Sequence, residues 1–377
     1  MQAFGFLVNG PLQNRLTSST NTKVAQLSAA VNIREPWNAP QWIYSYAWKL
    51  HEKVVPLLHY FDRCSLKNNK FNLAVLWGKA ISGCKLGSPT FDGFIAYDLL
   101  PPVTRWIVGF PFSWMYPNLF HQHVAIRTAF LDKCLLEALE PDRFSNKIDS
   151  DAKESSILID KEVDSADLKP RVIILGAGFD TRSLRCRGTK TGKSEAAATT
   201  AATVGGKHVI PTISTVNAEF YEVDLPSVIQ MKVNVFKRFL LRRPHSILPK
   251  LYGADLNELD QVKKQLALIF SDNEMTDKIR GKKRKTVFVI EAVLMYLKKE
   301  NVMPLLSTCM SEAAKHSSTV DVCFADHLPG VPFIGDVDGN VGREAASKLL
   351  KTVGLDLTTW QPRIRYHMGL ARYEIKK

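Results

Sequence analysis

Between positions 171 and 375 the chain alternates two kinds of apolar pattern. Short apolar runs recur at 171–175, 219–223, 286–291, 318–325 and 370–375. Runs of this length suit strands buried on one or both faces. Between them lie longer segments whose apolar residues fall three and four apart, at 226–241, 257–270, 299–315 and 341–353. That spacing predicts amphipathic helices. Strand and helix in alternation predict a parallel sheet with helices on both faces.

Upstream, the spacing predicts a helix over 121–139 (HQHVAIRTAFLDKCLLEAL), where Val124, Ile126, Phe130, Leu131, Leu135 and Leu139 form a broad apolar face. Ile43, Ala47, Leu50, Val54, Leu57 and Phe61 predict another over 41–61, kinked or ended at Pro56. Two stretches break the pattern. Residues 144–170 are polar and acid-rich, and residues 187–217 are rich in Ala, Thr and Gly. The expected organisation is a polar tail at 1–40, a helical cover at 41–143, an acidic linker at 144–170, and an α/β domain at 171–377 with a surface insertion at 187–217.

Composition narrows the class. With 377 residues, 45% hydrophobic and 23% charged, the chain can bury a large core without staples. Its cysteines (64, 84, 134, 186, 309, 323) show no CxxC spacing, which speaks against structural zinc or a disulfide framework and for an intracellular protein. No run of 18 uncharged apolar residues occurs, so no membrane span is expected. The expected compartment is the cytoplasm. An organelle is the alternative, because residues 1–34 lack acidic side chains and hold Arg15, Lys23, Arg34 and a Ser/Thr cluster. The net charge of +13 raises polyanions as partners, yet its densest run, KIRGKKRK at 278–285, reads first as a solvated loop.

Four motifs carry candidate chemistry. RVIILGAGFDTRSLR (171–185) runs a buried strand into Gly176 and Gly178, a turn that lets backbone pass close to a nucleoside. A dinucleotide fingerprint would place Gly or Ala at position 181; Thr stands there, which argues against a nicotinamide cofactor. In FYEVDLP (220–226), Asp224 ends the next strand, where a carboxylate can accept from two ribose hydroxyls or cap the helix starting at Pro226. In YGADLNELD (252–260), Asp255 is either a helix cap or an adenine contact. In VFVIEAVLMYL (287–297), Glu291 is a lone carboxylate ending an apolar strand, costly unless partnered.

Taken together and in this order, LGAGFDTRSLR, YEVDLP followed by Lys232, GADL and IEAVLMYL resemble the leucine carboxyl methyltransferase family of S-adenosylmethionine-dependent methyltransferases. The resemblance covers roughly residues 120–300 and, more weakly, ARYEI at 371–375. It implies a class I methyltransferase fold, an α/β Rossmann-like sheet of seven strands with the last antiparallel and an N-terminal helical extension. It implies S-adenosyl-L-methionine as cofactor. It assigns Arg127 to the methionine carboxylate, Gly176 and Gly178 to the glycine turn, Asp224 to the ribose, Asp255 and Leu256 to the adenine, and Glu291 to the neighbourhood of the methionine amino group. The Gly-Tyr-Trp-like stretch of members acting on type-2A phosphatases is not found here.

The expected activity is methyl transfer to a carboxylate or hydroxyl. A small-molecule acceptor is ranked first and a protein carboxyl group second. Nucleic acid is ranked last, because no Asn-Pro-Pro-Tyr-like or Pro-Cys element follows the fourth strand. A hydroxyl acceptor would benefit from a base, for which His327 and His123 are candidates. The rival readings are a cofactor-binding module without turnover and a nicotinamide oxidoreductase.

Overall fold

The computed structural model describes residues 75–80 apart from 77, 92–100, 105, 118–139, 168–185, 218–272 apart from 245, 274, 277, 279, 281–333, 339–363 and 366–375. The tail, the helix expected over 41–61, nearly all of the 144–170 linker and the whole of the 187–217 insertion lie outside the described residues.

In chain order the elements are α1 (Asp92–Leu99), α2 (Asn118–Leu139), β1 (Arg171–Leu175), α3 (Arg182–Arg185), β2 (Glu219–Asp224), α4 (Pro226–Arg242), β3 (Lys250–Gly253), α5 (Leu259–Ser271), β4 (Arg284–Glu291), a 3₁₀ turn (Leu294–Tyr296), α6 (Lys299–His316), β5 (Ser317–Asp326), α7 (Gly339–Lys351), β6 (Leu355–Trp360) and β7 (His367–Tyr373). The strands form one sheet in the order β3-β2-β1-β4-β5-β7-β6. Pairing is parallel from β3 through β5, and β7 runs antiparallel to both its neighbours. This is the seven-stranded arrangement the resemblance implied.

Alternation along the strands sorts the core onto two faces. Ile173 and Leu175 of β1, Tyr221 and Val223 of β2, and Phe288 and Ile290 of β4 pack with α5 and α6. Val172 and Ile174, Phe220, and Val287 and Val289 point the other way, against Ile126, Phe130, Leu131 and Leu135 of α2. A third apolar cluster joins α1 and α4 to Phe179 and Leu184 beside the β1 turn. Among the described residues, no helix is long and apolar enough to cross a membrane.

Two strands went unpredicted, β3 and β6, and they are the two edges of the sheet. β3 has four residues and no buried one, and β6 alternates buried with exposed positions. Edge strands face water along one side and carry the weakest apolar signal. The last strand also starts earlier than 370, at His367.

The register sets up the functional rim. Leu175 pairs with Val223 on one side and Ile290 on the other, and Glu291 pairs with Ala325. Gly176, Asp224, Glu291 and Asp326 therefore emerge nearly level at the carboxyl ends of four neighbouring strands. Chain order reverses between β1 and β4, the switch point at which such sheets bind ligands. Phe288 is fully buried at the centre of this sheet. Phe288→Ala is expected to lower stability by about 3–5 kcal/mol, read as a shift of the urea midpoint.

Candidate functional site

The turn after β1 is shaped by glycine. Gly176 and Gly178 both have positive φ, 61° and 43°. A Cβ on Gly176 would lie 2.2 Å from Val293 Cγ2, so no side chain fits there. Asp224 ties this turn to β2: its Oδ2 accepts from the Gly178 amide at 2.6 Å and its Oδ1 from the Leu225 amide at 2.7 Å. The residue capping α4 is Leu225, without a side-chain bond, so Asp224 holds the glycine turn rather than capping the helix. Burial pushes its carboxyl up, against the lowering effect of the two amides. Each oxygen accepts one amide and keeps a lone pair for a further donor.

Glu291 sits in a cluster of buried charges. Its Oε1 accepts from Arg127 Nε at 2.7 Å and from Thr128 Oγ1 at 3.4 Å, and its Oε2 from Arg182 Nη1 at 2.5 Å. Arg182 is completely buried and also bonds both oxygens of Asp180, through its backbone and its guanidinium, as well as Asp132 Oδ1 at 2.9 Å and the Thr128 carbonyl at 3.3 Å. Burial alone would raise Glu291, but Lys79, Arg182 and Arg127 outweigh it and hold the carboxyl well below the usual carboxylate range. Asp180 is lowered too: burial opposes, and Arg182 and Lys79 prevail. α2 delivers Arg127, Thr128 and Asp132, β4 delivers Glu291, and the turn after β1 delivers Asp180 and Arg182.

Beyond Glu291 the backbone turns sharply through Ala292, at φ 50°. Asp326 at the end of β5 clamps this turn, accepting from the amides of Val293 (2.5 Å), Leu294 (2.7 Å) and Met295 (3.1 Å), and from that of His327 (2.7 Å). A second buried pair lies beneath the glycine turn: Lys232 Nζ is 2.5 Å from Glu222 Oε2, and Ser183 donates to Glu222 Oε1 at 2.7 Å.

The structure thus brings Arg127, Gly176, Gly178, Asp224 and Glu291 to one rim. Asp255 lies beyond β3, where its Oδ1 accepts from the Asn257 amide at 2.9 Å and the Asn257 side chain at 3.3 Å; the cap of α5 is Glu258. Leu256 is buried in the core beside it. The His327 ring packs on Phe333 and Tyr366. His123 stands in α2 one turn before Arg127, and its side chain lies outside the described residues. Sequence reasoning missed Asp132, Asp180, Arg182 and Asp326. The signal for Asp132 was present: with Arg127 and Thr128 it interrupts an apolar helix face.

The residues fit S-adenosylmethionine. Asp224 has acceptor capacity for a ribose diol at the end of β2. The turn at Gly176 packs so close to Val293 that no side chain fits there. Arg127 and Glu291, side by side, offer one charge of each sign, which complements the carboxylate and ammonium of an amino-acid zwitterion.

Strand order and the single antiparallel strand give the chain the fold of class I S-adenosylmethionine-dependent methyltransferases. The sequence profile of the leucine carboxyl methyltransferase family matches residues 210–310, which bears out the resemblance. No curated protein matches the chain in sequence. Solved structures with some likeness include EvdMO1 (12% identity, 54% of this chain, 37% of that one, TM-score 0.26). Another is an O-methyltransferase family protein from Burkholderia thailandensis (10%, 67% and 61%, TM-score 0.29). A third is NcsB1, an O-methyltransferase from neocarzinostatin biosynthesis solved with S-adenosylmethionine and 2-hydroxy-5-methyl naphthoic acid (13%, 72% and 63%, TM-score 0.28). The chain spans less than two thirds of the length of each.

Glu291 offers a test of the cluster. Its depressed carboxyl contributes stability that is complete above its usual value near 4.5 and is lost as pH falls from there through the lower folded value. Glu291→Gln leaves two buried guanidiniums short of a charge and is expected to cost about 3 kcal/mol or more near neutrality. The gap between wild type and variant should stay level down to about pH 5 and narrow below it, measured by urea unfolding across the pH range.

Proposed function

We propose that this chain transfers a methyl group from S-adenosylmethionine to a carboxylate or hydroxyl oxygen of a small molecule. The observation that carries this is the Arg127–Glu291 pair, level with Asp224 and the Gly176 turn on one sheet rim. When bound, the cofactor supplies an electrophilic methyl carbon: the acceptor oxygen forms its bond to that carbon as the carbon–sulfur bond breaks, and S-adenosylhomocysteine leaves.

The work of the chain is then orientation and exclusion of water. Asp224 orients the ribose. Arg127 and Glu291 hold the two charges of the amino-acid end. Arg182, anchored on Asp180 and Asp132, keeps Glu291 in place. Asp255 and Leu256, beyond β3, are the residues assigned to the adenine. A carboxylate acceptor needs no base. For a hydroxyl, His327 is the described candidate on the rim, and His123 remains a second. Methylation of a protein carboxyl group is the alternative reading, favoured by the family whose profile matches residues 210–310.

Thermal melting with S-adenosylmethionine, S-adenosylhomocysteine, NAD and NADP in parallel tests the donor. A ligand at 100 times its dissociation constant adds about 2.7 kcal/mol, so the two adenosyl-sulfur compounds should raise the midpoint and the nicotinamides should not. Asp224→Ala is expected to weaken S-adenosylhomocysteine binding roughly 10–150-fold by calorimetry, from the loss of about 1.5–3 kcal/mol of charge-assisted hydrogen bonding. Unchanged affinity in the folded variant would remove Asp224 from the site.

A further inference from the structure

The rim over β1, β2 and β3 is taken up by the groups assigned to the nucleoside. The rim over β4, β5 and β7 is not, and its character is different. Five side chains line it: Met295 and Tyr296 of the 3₁₀ turn, His327 and Phe333 after β5, and Tyr366 before β7. Four of the five are rings. Tyr296 is 56% exposed and Met295 38%, both large for residues next to a sheet rim. The other three are half-buried.

This wall starts at the donor end. The Arg127 guanidinium, which pairs with Glu291, lies 5.0 Å from the centre of the Tyr366 ring. The His327 ring is 5.8 Å from Tyr366, and Phe333 meets His327 edge-on at 4.9 Å. Tyr296 stands near Tyr366, Arg127 and Asp326: burial, Tyr366 and Asp326 raise its phenol against the lowering effect of Arg127, so it is uncharged near neutrality.

Behind the wall the rings continue into the core and make it stiff. Phe333 stacks on His367 at 4.4 Å and 9°, and His367 stacks on Trp360 at 5.8 Å and 17°. His367 Nδ1 accepts from the Leu328 amide at 2.9 Å and its Nε2 faces the Pro332 carbonyl at 3.3 Å, so it fastens both ends of the 328–332 segment. Burial, against the raising effect of the Pro332 carbonyl, pushes His367 down to about 4, and the clamp stays neutral across physiological pH.

We infer that this surface is the acceptor side of the site and that the acceptor is a flat aromatic molecule carrying the oxygen to be methylated. The inference deepens the proposed function and rests on it. Ring faces and edges held in advance by buried rings favour a planar guest, because neither side loses conformational freedom on stacking. An aliphatic chain or peptide end would gain from burial but not from the ring geometry.

The test is isothermal titration calorimetry of the full chain saturated with S-adenosylhomocysteine. It uses 2-naphthol and its saturated counterpart decahydro-2-naphthol, which share the hydroxyl and differ in planarity. The expected result is that 2-naphthol binds at least tenfold tighter. Tyr296→Ala should weaken 2-naphthol about 3–10-fold and Tyr296→Phe should restore it, with S-adenosylhomocysteine affinity unchanged in both. Tyr296 is exposed, so these variants should fold. Equal binding of the two alcohols, indifference to Tyr296→Ala, or tighter binding of a leucine-terminated peptide than of 2-naphthol would overturn the inference. The melting shift with S-adenosylhomocysteine separates the two layers. Its loss strikes the donor reading, whereas an intact shift with no discrimination between the alcohols strikes the aromatic acceptor alone.

Discussion

Arg182 is completely buried, and a guanidinium in that position must be surrounded by acceptors or the fold does not tolerate it. They include Asp132 from α2, Asp180 from its own turn, Glu291 from β4 and the Thr128 carbonyl. This one side chain therefore joins the covering helix, the glycine turn and the central strand. The requirement that all its bonds be made together fixes where α2 crosses the sheet, and so where Arg127 arrives. The charges do not add much net stability as a group, since desolvation offsets their attraction. Their effect is on geometry: any other placement of α2 leaves a buried charge without a partner.

Around that anchor the rim is held by carboxylates that accept from backbone amides. Asp224 binds the turn after β1, and Asp326 binds the turn after β4 through three amides and the start of its own loop through that of His327. Gly176 lets the first turn pass under Val293, where any Cβ would collide. Both loops of the rim are thus tied to strand ends and not left to their own preferences. The proposed methyl transfer would benefit from that rigidity, because misplacement of the reacting atoms costs rate steeply.

The rim over β4, β5 and β7 adds a second means: besides the Asp326 carboxylate, its loops are fixed by stacked rings and by His367. Charged groups at Arg127 and Glu291 and aromatic surface at Tyr296, His327, Phe333 and Tyr366 divide the rim by chemistry, as the proposed donor and acceptor would require.

The central strands were legible in the sequence because parallel strands buried on both faces read as short unbroken apolar runs, as RVIIL and VFVI do. Helices α2 and α4 to α7 were legible from their spacing, and Gly176, Gly178, Asp224 and Glu291 from their positions at strand ends; the short helices α1 and α3 were not. The edge strands β3 and β6 were not, since neither holds an unbroken buried run. Nor were the partners of Arg182: Asp132 lies fifty residues before it and Glu291 more than a hundred after, and nothing local ties such distant charges together. The aromatic wall is equally non-local, assembled from 295–296, 327, 333 and 366. Composition and periodicity by themselves determined the elements, the parallel sheet and the strand-end carboxylates, because those depend on neighbours in the chain. Which charges neutralise one another, and which rings meet, was decided only when the sheet closed its register and α2 settled across it, because pairing and stacking depend on neighbours in space.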